Sequence, residues 1–142
     1  MKKRIVLMLV FMLTLSMSMM ADNIKVITFN QLPMQAQTIL KQHFADKVPA
    51  VVTVEGKEYK VVYQSGEKTE FNKKGEWTEI DCNLLPVPAA LIPEQIRATV
   101  QQTFPTATII KIERVRKNYE VKLNNSMEMK FNKRFKMIEF DD

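Results

Sequence analysis

A single cysteine, Cys82, excludes an internal disulfide, so packing alone must hold this fold. A lone thiol could serve as a nucleophile or an intermolecular bridge. With no partner residue beside it, it reads as a buried structural thiol that behaves like a small hydrophobe. Histidine is equally scarce. His43 is the one imidazole, and it sits beside Phe44 at a predicted helix end, where a histidine interacts well with the helix dipole. A zinc set or a general base would need further ligands or a nucleophile nearby, and none is there. No arrangement of residues points to catalysis, and the chain reads as a non-enzyme needing no cofactor and holding no metal. No uncharged stretch reaches the ~20 residues of a membrane helix, and no cysteine stands near Ala21 to carry a lipid anchor.

The amino terminus explains the longest apolar run. Met1-Lys2-Lys3-Arg4 is followed by uncharged Ile5 to Leu15, then by Ser16-Met17-Ser18-Met19-Met20-Ala21. A basic start, a short apolar core and a small-residue exit make residues 1–21 a secretory signal peptide, cleaved near Ala21. Losing Lys2, Lys3 and Arg4 leaves 18 basic against 16 acidic residues, a net charge near +2 rather than +5. The basic balance is partly discarded, and nucleic-acid binding loses its main support. The mature chain is expected in the periplasm or otherwise exported, and not integral to the membrane.

Shifting the mature chain against itself by sixty residues aligns two halves without a gap. Pro33 meets Pro93, Gln42 meets Gln102 and Phe44 meets Phe104. Further on, Tyr59 meets Tyr119, Val61 meets Val121, and Phe71-Asn72-Lys73 meets Phe131-Asn132-Lys133. Each half opens with an apolar stripe at helical spacing: Leu32, Ala36, Ile39, Leu40 and Phe44, then Ile92, Ile96, Val100 and Phe104. Pro33 and Pro93 fit the first helical position.

Each half then turns to period two. Tyr119, Val121 and Leu123 alternate with Glu120 and Lys122, and Met127, Met129 and Phe131 alternate with Glu128 and Lys130. Asn124-Asn125-Ser126 supplies the turn between them. The apolar connector Asn83 to Ala89, with Pro86 and Pro88, reads as an extended crossover. The expected fold is α+β: a tandem repeat of a helix plus about four antiparallel strands, with the helices packed on one face of the sheet. The first unit spans 22–83 and the second 84–142, fused into one compact domain.

The run Tyr119-Glu120-Val121-Lys122-Leu123, a turn, Met127-Glu128-Met129-Lys130-Phe131-Asn132 and an Asp-terminated strand resembles the PepSY-like, β-lactamase-inhibitor-like domains of small exported Bacteroidetes proteins. Ile109 to Arg114 and the helix starts at Leu32 and Ile92 agree with it. Phe135 and Ser126 depart from it, standing where turn glycines are expected. The resemblance implies a fold like the β-lactamase inhibitory protein, whose curved sheet presents a binding surface. It also implies an association with restraint of peptidases. It brings no catalytic residues.

Among charged clusters, Glu139, Asp141 and Asp142, echoed by Glu79 and Asp81, alternate along strands and read as a solvated face rather than a calcium loop. The second half carries ten basic residues against seven acidic ones, while the first is slightly acidic. That asymmetry could steer an acidic partner or a membrane surface; solubility and edge protection are the readier explanation. Asn124-x-Ser126 matches a glycosylation acceptor but reads as turn chemistry. Partner-binding candidates are Trp77 and Tyr63 as aromatic anchors, with Arg116 and Lys122 as charged contacts. The leading expectation is a non-catalytic periplasmic module that binds, and in its narrower form inhibits, a protein or peptide as a monomer or weak dimer. A periplasmic small-ligand or metal sensor is the alternative, and a hydrolase using Cys82 a third.

Overall fold

The computed structural model describes residues 23–141. The signal peptide and its cleavage point near Ala21 lie outside the described residues. Nine strands follow one another: β1 (Ile24–Ile27), β2 (Pro49–Glu55), β3 (Glu58–Tyr63), β4 (Lys68–Phe71), β5 (Trp77–Asp81), β6 (Ile109–Val115), β7 (Asn118–Leu123), β8 (Glu128–Phe131) and β9 (Met137–Asp141). Helix α1 (Met34–His43) lies between β1 and β2, and α2 (Glu94–Thr103) between β5 and β6. All nine strands form one antiparallel sheet in sequence order.

This architecture overturns the expected tandem repeat of helix-plus-four-strand units with the helices packed on one face of the sheet. There is one continuous sheet with only two short α-helices among the described residues. Direct pairing of β5 with β6, through Glu79↔Glu113, Ile80↔Ile112 and Asp81↔Lys111, makes it continuous. Alternation in a sequence tells which face a residue takes, not which strand lies beside it. β1 went unforeseen because its four residues precede the first helix and are mostly exposed, so no in–out contrast marks them.

Register explains the core. Ile27, Val52, Val61, Thr69, Ile80, Ile112, Val121, Met129 and Phe140 are successive cross-strand partners from one edge of the sheet to the other. Most of this row is buried, in one cluster with Leu32, Ala36, Leu40 and Phe44 of the first helical segment and Ile92, Ile96 and Val100 of the second. Each fully buried aliphatic or aromatic side chain there contributes about 1.5–3 kcal/mol relative to exposure. Pro33 and Pro93 stand one position before the helices, at the N-caps, and their carbonyls accept from Gln37 N–H and Arg97 N–H at 3.1 Å.

The turn before β5 shows why one glycine matters. Gly75 has φ +85°, and a Cβ there would lie 2.9 Å from Pro33 Cβ and 3.0 Å from Ala36 N. Phe135, sixty residues later, keeps the left-handed backbone at φ +64° and packs its ring 5.3 Å from that of Tyr119. Ser126 keeps it at φ +72°. The two departures from glycine therefore leave both turns in the left-handed region.

Candidate functional site

Three features stand out from the scaffold: a bare edge, a charged face and a cleft. The edge is β9. All five of its residues are exposed, and among the described residues it pairs only with β8. Met137, Ile138 and Phe140 are 42%, 54% and 51% exposed. An edge strand that combines unpaired backbone groups with apolar side chains is a template for another strand.

The outer face of the sheet is ionic. Lys60, Glu70, Glu79, Glu113, Glu120, Lys130 and Glu139 are successive cross-strand partners, so four glutamates stand side by side across β4 to β7. Glu79 lies at the centre and is only 6% exposed. Lys68 Nζ lies 3.1 Å from one of its oxygens and Lys111 Nζ 3.3 Å from the other. Desolvation alone would raise the Glu79 pKa, but Lys68 and Lys111 together hold it below the usual carboxylate value. Its neighbours have less help. Glu70 and Glu113 are raised, first by desolvation and then by the Glu79 charge. The face is thus a lattice of paired charges with an acidic spine.

The cleft lies beside the β5–β6 join, with a volume of about 320 Å³. Ile39, Trp77 and Leu91 supply apolar wall, and Gln35, Glu76 and Arg114 supply polar groups. The Arg114 guanidinium lies 3.9 Å from the centre of the Trp77 ring and 5.8 Å from that of Tyr119.

The proposed partner-binding residues do not form one patch. Tyr63 is buried and stacks on Phe44 with ring centres 5.5 Å apart. Burial pushes its hydroxyl pKa up to about 12. Trp77 is buried in the core and lines the cleft. Arg116 is exposed in the β6–β7 turn at φ +60°, and Lys122 is exposed on the ionic face. Cys82 is buried, and desolvation followed by the Glu67 and Asp81 charges pushes its thiol up to about 11. His43 is half-buried in the last turn of α1.

Of the acids once weighed as a calcium loop, Glu139 pairs with Lys130 at 3.3 Å and Asp81 caps the Asn83 N–H at 2.9 Å. Among the described residues no three metal-capable side chains converge. No described helix is long and apolar enough to cross a membrane.

Sequence reasoning missed Arg114 and the β9 edge. Arg114 carried a visible signal, since it shares the phase of buried Ile112 on its strand. The exposure of β9 carried none, because its alternation matches that of a covered strand.

Residues 57–139 match the family model described as "Putative beta-lactamase-inhibitor-like, PepSY-like". A crystal structure of "a putative calcium-regulated periplasmic protein" from Bacteroides thetaiotaomicron is 43% identical. The match covers 86% of this chain and 99% of that one, with a TM-score of 0.82. A periplasmic protein of the DUF2874 family from Bacteroides vulgatus is also 43% identical over the same shares, with a TM-score of 0.83. Another periplasmic protein of unknown function from Bacteroides vulgatus is 33% identical over 84% and 99%, with a TM-score of 0.79. No curated protein matches the chain.

Proposed function

Because the chain belongs to the PepSY-like, β-lactamase-inhibitor-like family, we propose that it is a non-catalytic periplasmic module that captures a protein or peptide along β9. The exposed edge carries this reading. Three large apolar side chains stand on a strand whose outer side meets no other strand among the described residues, the combination used when an extended segment adds to a sheet. Main-chain hydrogen bonds would supply affinity, and the Met137 and Phe140 side chains would select partner residues. Inhibition of a peptidase is the narrower form of this function. The similar periplasmic structures support the location.

A photo-crosslinking residue at Ile138, compared with one at exposed Leu84, tests this in cells. A discrete adduct at Ile138, absent at Leu84 and lost with Phe140→Asp, is expected. Adducts equal at both positions, or none at Ile138, would refute capture at this edge.

A second reading, a calcium or small-ligand sensor, is supported by the description of the Bacteroides thetaiotaomicron protein and by the acidic spine. Calcium needs several oxygen donors around one point, and Glu79 already answers to two lysines. Calorimetric titration with calcium separates the two readings, since capture at β9 requires no heat of calcium binding.

A further inference from the structure

Arg114 occupies a place that the packing does not explain. It follows Ile112 by two residues on β6 and pairs across to Tyr119. Val54 pairs in the same way with Tyr59 on β2 and β3, sixty residues earlier. A valine keeps such a slot apolar, whereas a guanidinium brings a desolvation cost. The faces of Trp77 and Tyr119 offset part of that cost through cation–π attraction. Attraction to a ring face is not a conventional hydrogen bond and leaves a guanidinium free to donate to an acceptor. Nε is buried with no hydrogen-bond partner. Among the described residues no carboxylate lies within 4.0 Å of the guanidinium. Glu76, the acid on the same cleft, accepts instead from Asn72 Nδ2 at 3.1 Å.

We propose that this cleft binds a small carboxylate with an apolar tail, either a free acid or the last residue of a peptide. The guanidinium, held over the Trp77 ring, would present its fork of donors to both carboxylate oxygens, the geometry in which arginine binds most strongly. Ile39 and Leu91 would receive the tail, and the Gln35 amide could accept or donate one further hydrogen bond. The cleft's 320 Å³ lies near the lower end of the ~300–1,000 Å³ usual for ligand sites, which fits one amino-acid-sized group. The site is separate from β9, so either proposal can fail without the other.

Trp77 is the only tryptophan, and its fluorescence reads the cleft without a label. The mature protein is titrated with N-acetyl-leucine, with N-acetyl-leucine amide and with a tetrapeptide ending in a free leucine carboxylate. A saturable change with the free carboxylates and none with the amide is expected. Tighter binding of the tetrapeptide assigns the cleft to chain termini, and tighter binding of N-acetyl-leucine assigns it to free acids. Arg114→Lys keeps the charge but loses the fork, and affinity falls about tenfold or more. Leu91→Phe narrows the cleft with Arg114 intact and weakens binding too, which keeps the test open should Arg114→Lys not fold. No saturable change up to about 10 mM, or equal responses to acid and amide, overturns the proposal.

Discussion

β5 and β9 hold equivalent places in the two halves, share two of five residues, and live in opposite surroundings. Trp77-Thr78-Glu79-Ile80-Asp81 and Met137-Ile138-Glu139-Phe140-Asp141 are sixty residues apart, and each is the last strand of its half. Ile80 is 1% exposed and Phe140 51%; Trp77 is 5% exposed and Met137 42%. Glu79 sits between two lysines, while Glu139 meets one and keeps half its side chain in water. The difference is one further strand. β6 lies against β5, and among the described residues nothing in the sheet lies beyond β9. Burial here is a property of the neighbour, not of the residue.

The largest effect should come from placing a charge in that row. Ile80→Asp leaves an unpaired carboxylate in the core and should cost about 4 kcal/mol or more, whereas Phe140→Asp should cost about 1 kcal/mol or less. Urea unfolding of both variants checks this, and similar costs would mean that β9 is covered in solution.

Next come the glutamates. Glu79→Gln removes the anion that Lys68 and Lys111 share and should cost about 1–2 kcal/mol. Glu139→Gln should stay within about 0.5 kcal/mol. Chemical denaturation at neutral pH measures both.

A pH series extends the contrast to another pair of positions. Glu67 is 1% exposed beside Lys47, 3.1 Å away, where the second half has Met127 and Ala107. Desolvation pushes the Glu67 pKa up, but hydrogen bonds from Ser65, the backbone and Lys47 overcome it and hold the value below the usual 4.5. A depressed carboxylate stabilises fully above its unfolded value, and that contribution is lost as pH falls through the folded one. The cost of Glu67→Gln should be full at neutral pH and shrink in acid, while the cost of Met127→Ala should not follow that titration. Melting curves of both variants across the acid range decide it.

The smallest effect concerns a turn. Ser126 pays for φ +72° with a side chain, so Ser126→Gly should gain about 0.5–1 kcal/mol. Gly66→Ser should lose stability, because φ is +102° and a Cβ would lie 3.1 Å from Asn83 Nδ2. Paired thermal melts of the two variants give the sign.

Much of the core was legible in the sequence. The helical stripe singled out Leu40 and Val100, and alternation singled out Val61 and Val121; all four are buried. Both signals are local, arising from periods of 3.6 and 2. Pairing is not local. No pattern in Trp77 to Asp81 says that Ile109 to Val115 will lie beside it, so the β5–β6 join and the order of nine strands went unread. The same blindness assigned Trp77 and Tyr63 to a surface. A large aromatic residue on a strand looks the same whether its face meets water or a core. Arg114 was legible in principle as a charge in an apolar phase, and it was passed over as one of the ten basic residues of the second half.

The strict succession of the strands has a consequence for how the chain assembles. Every strand hydrogen-bonds to the strand preceding it, and no early strand waits for a late one. Closing each pairing therefore spans a short stretch of chain, apart from the two steps that carry a helix, which favours rapid formation. A chain emerging amino end first could add strands at a single advancing front. β9 is where that front stops, so the margin available for capture would be the growth point of the sheet left open.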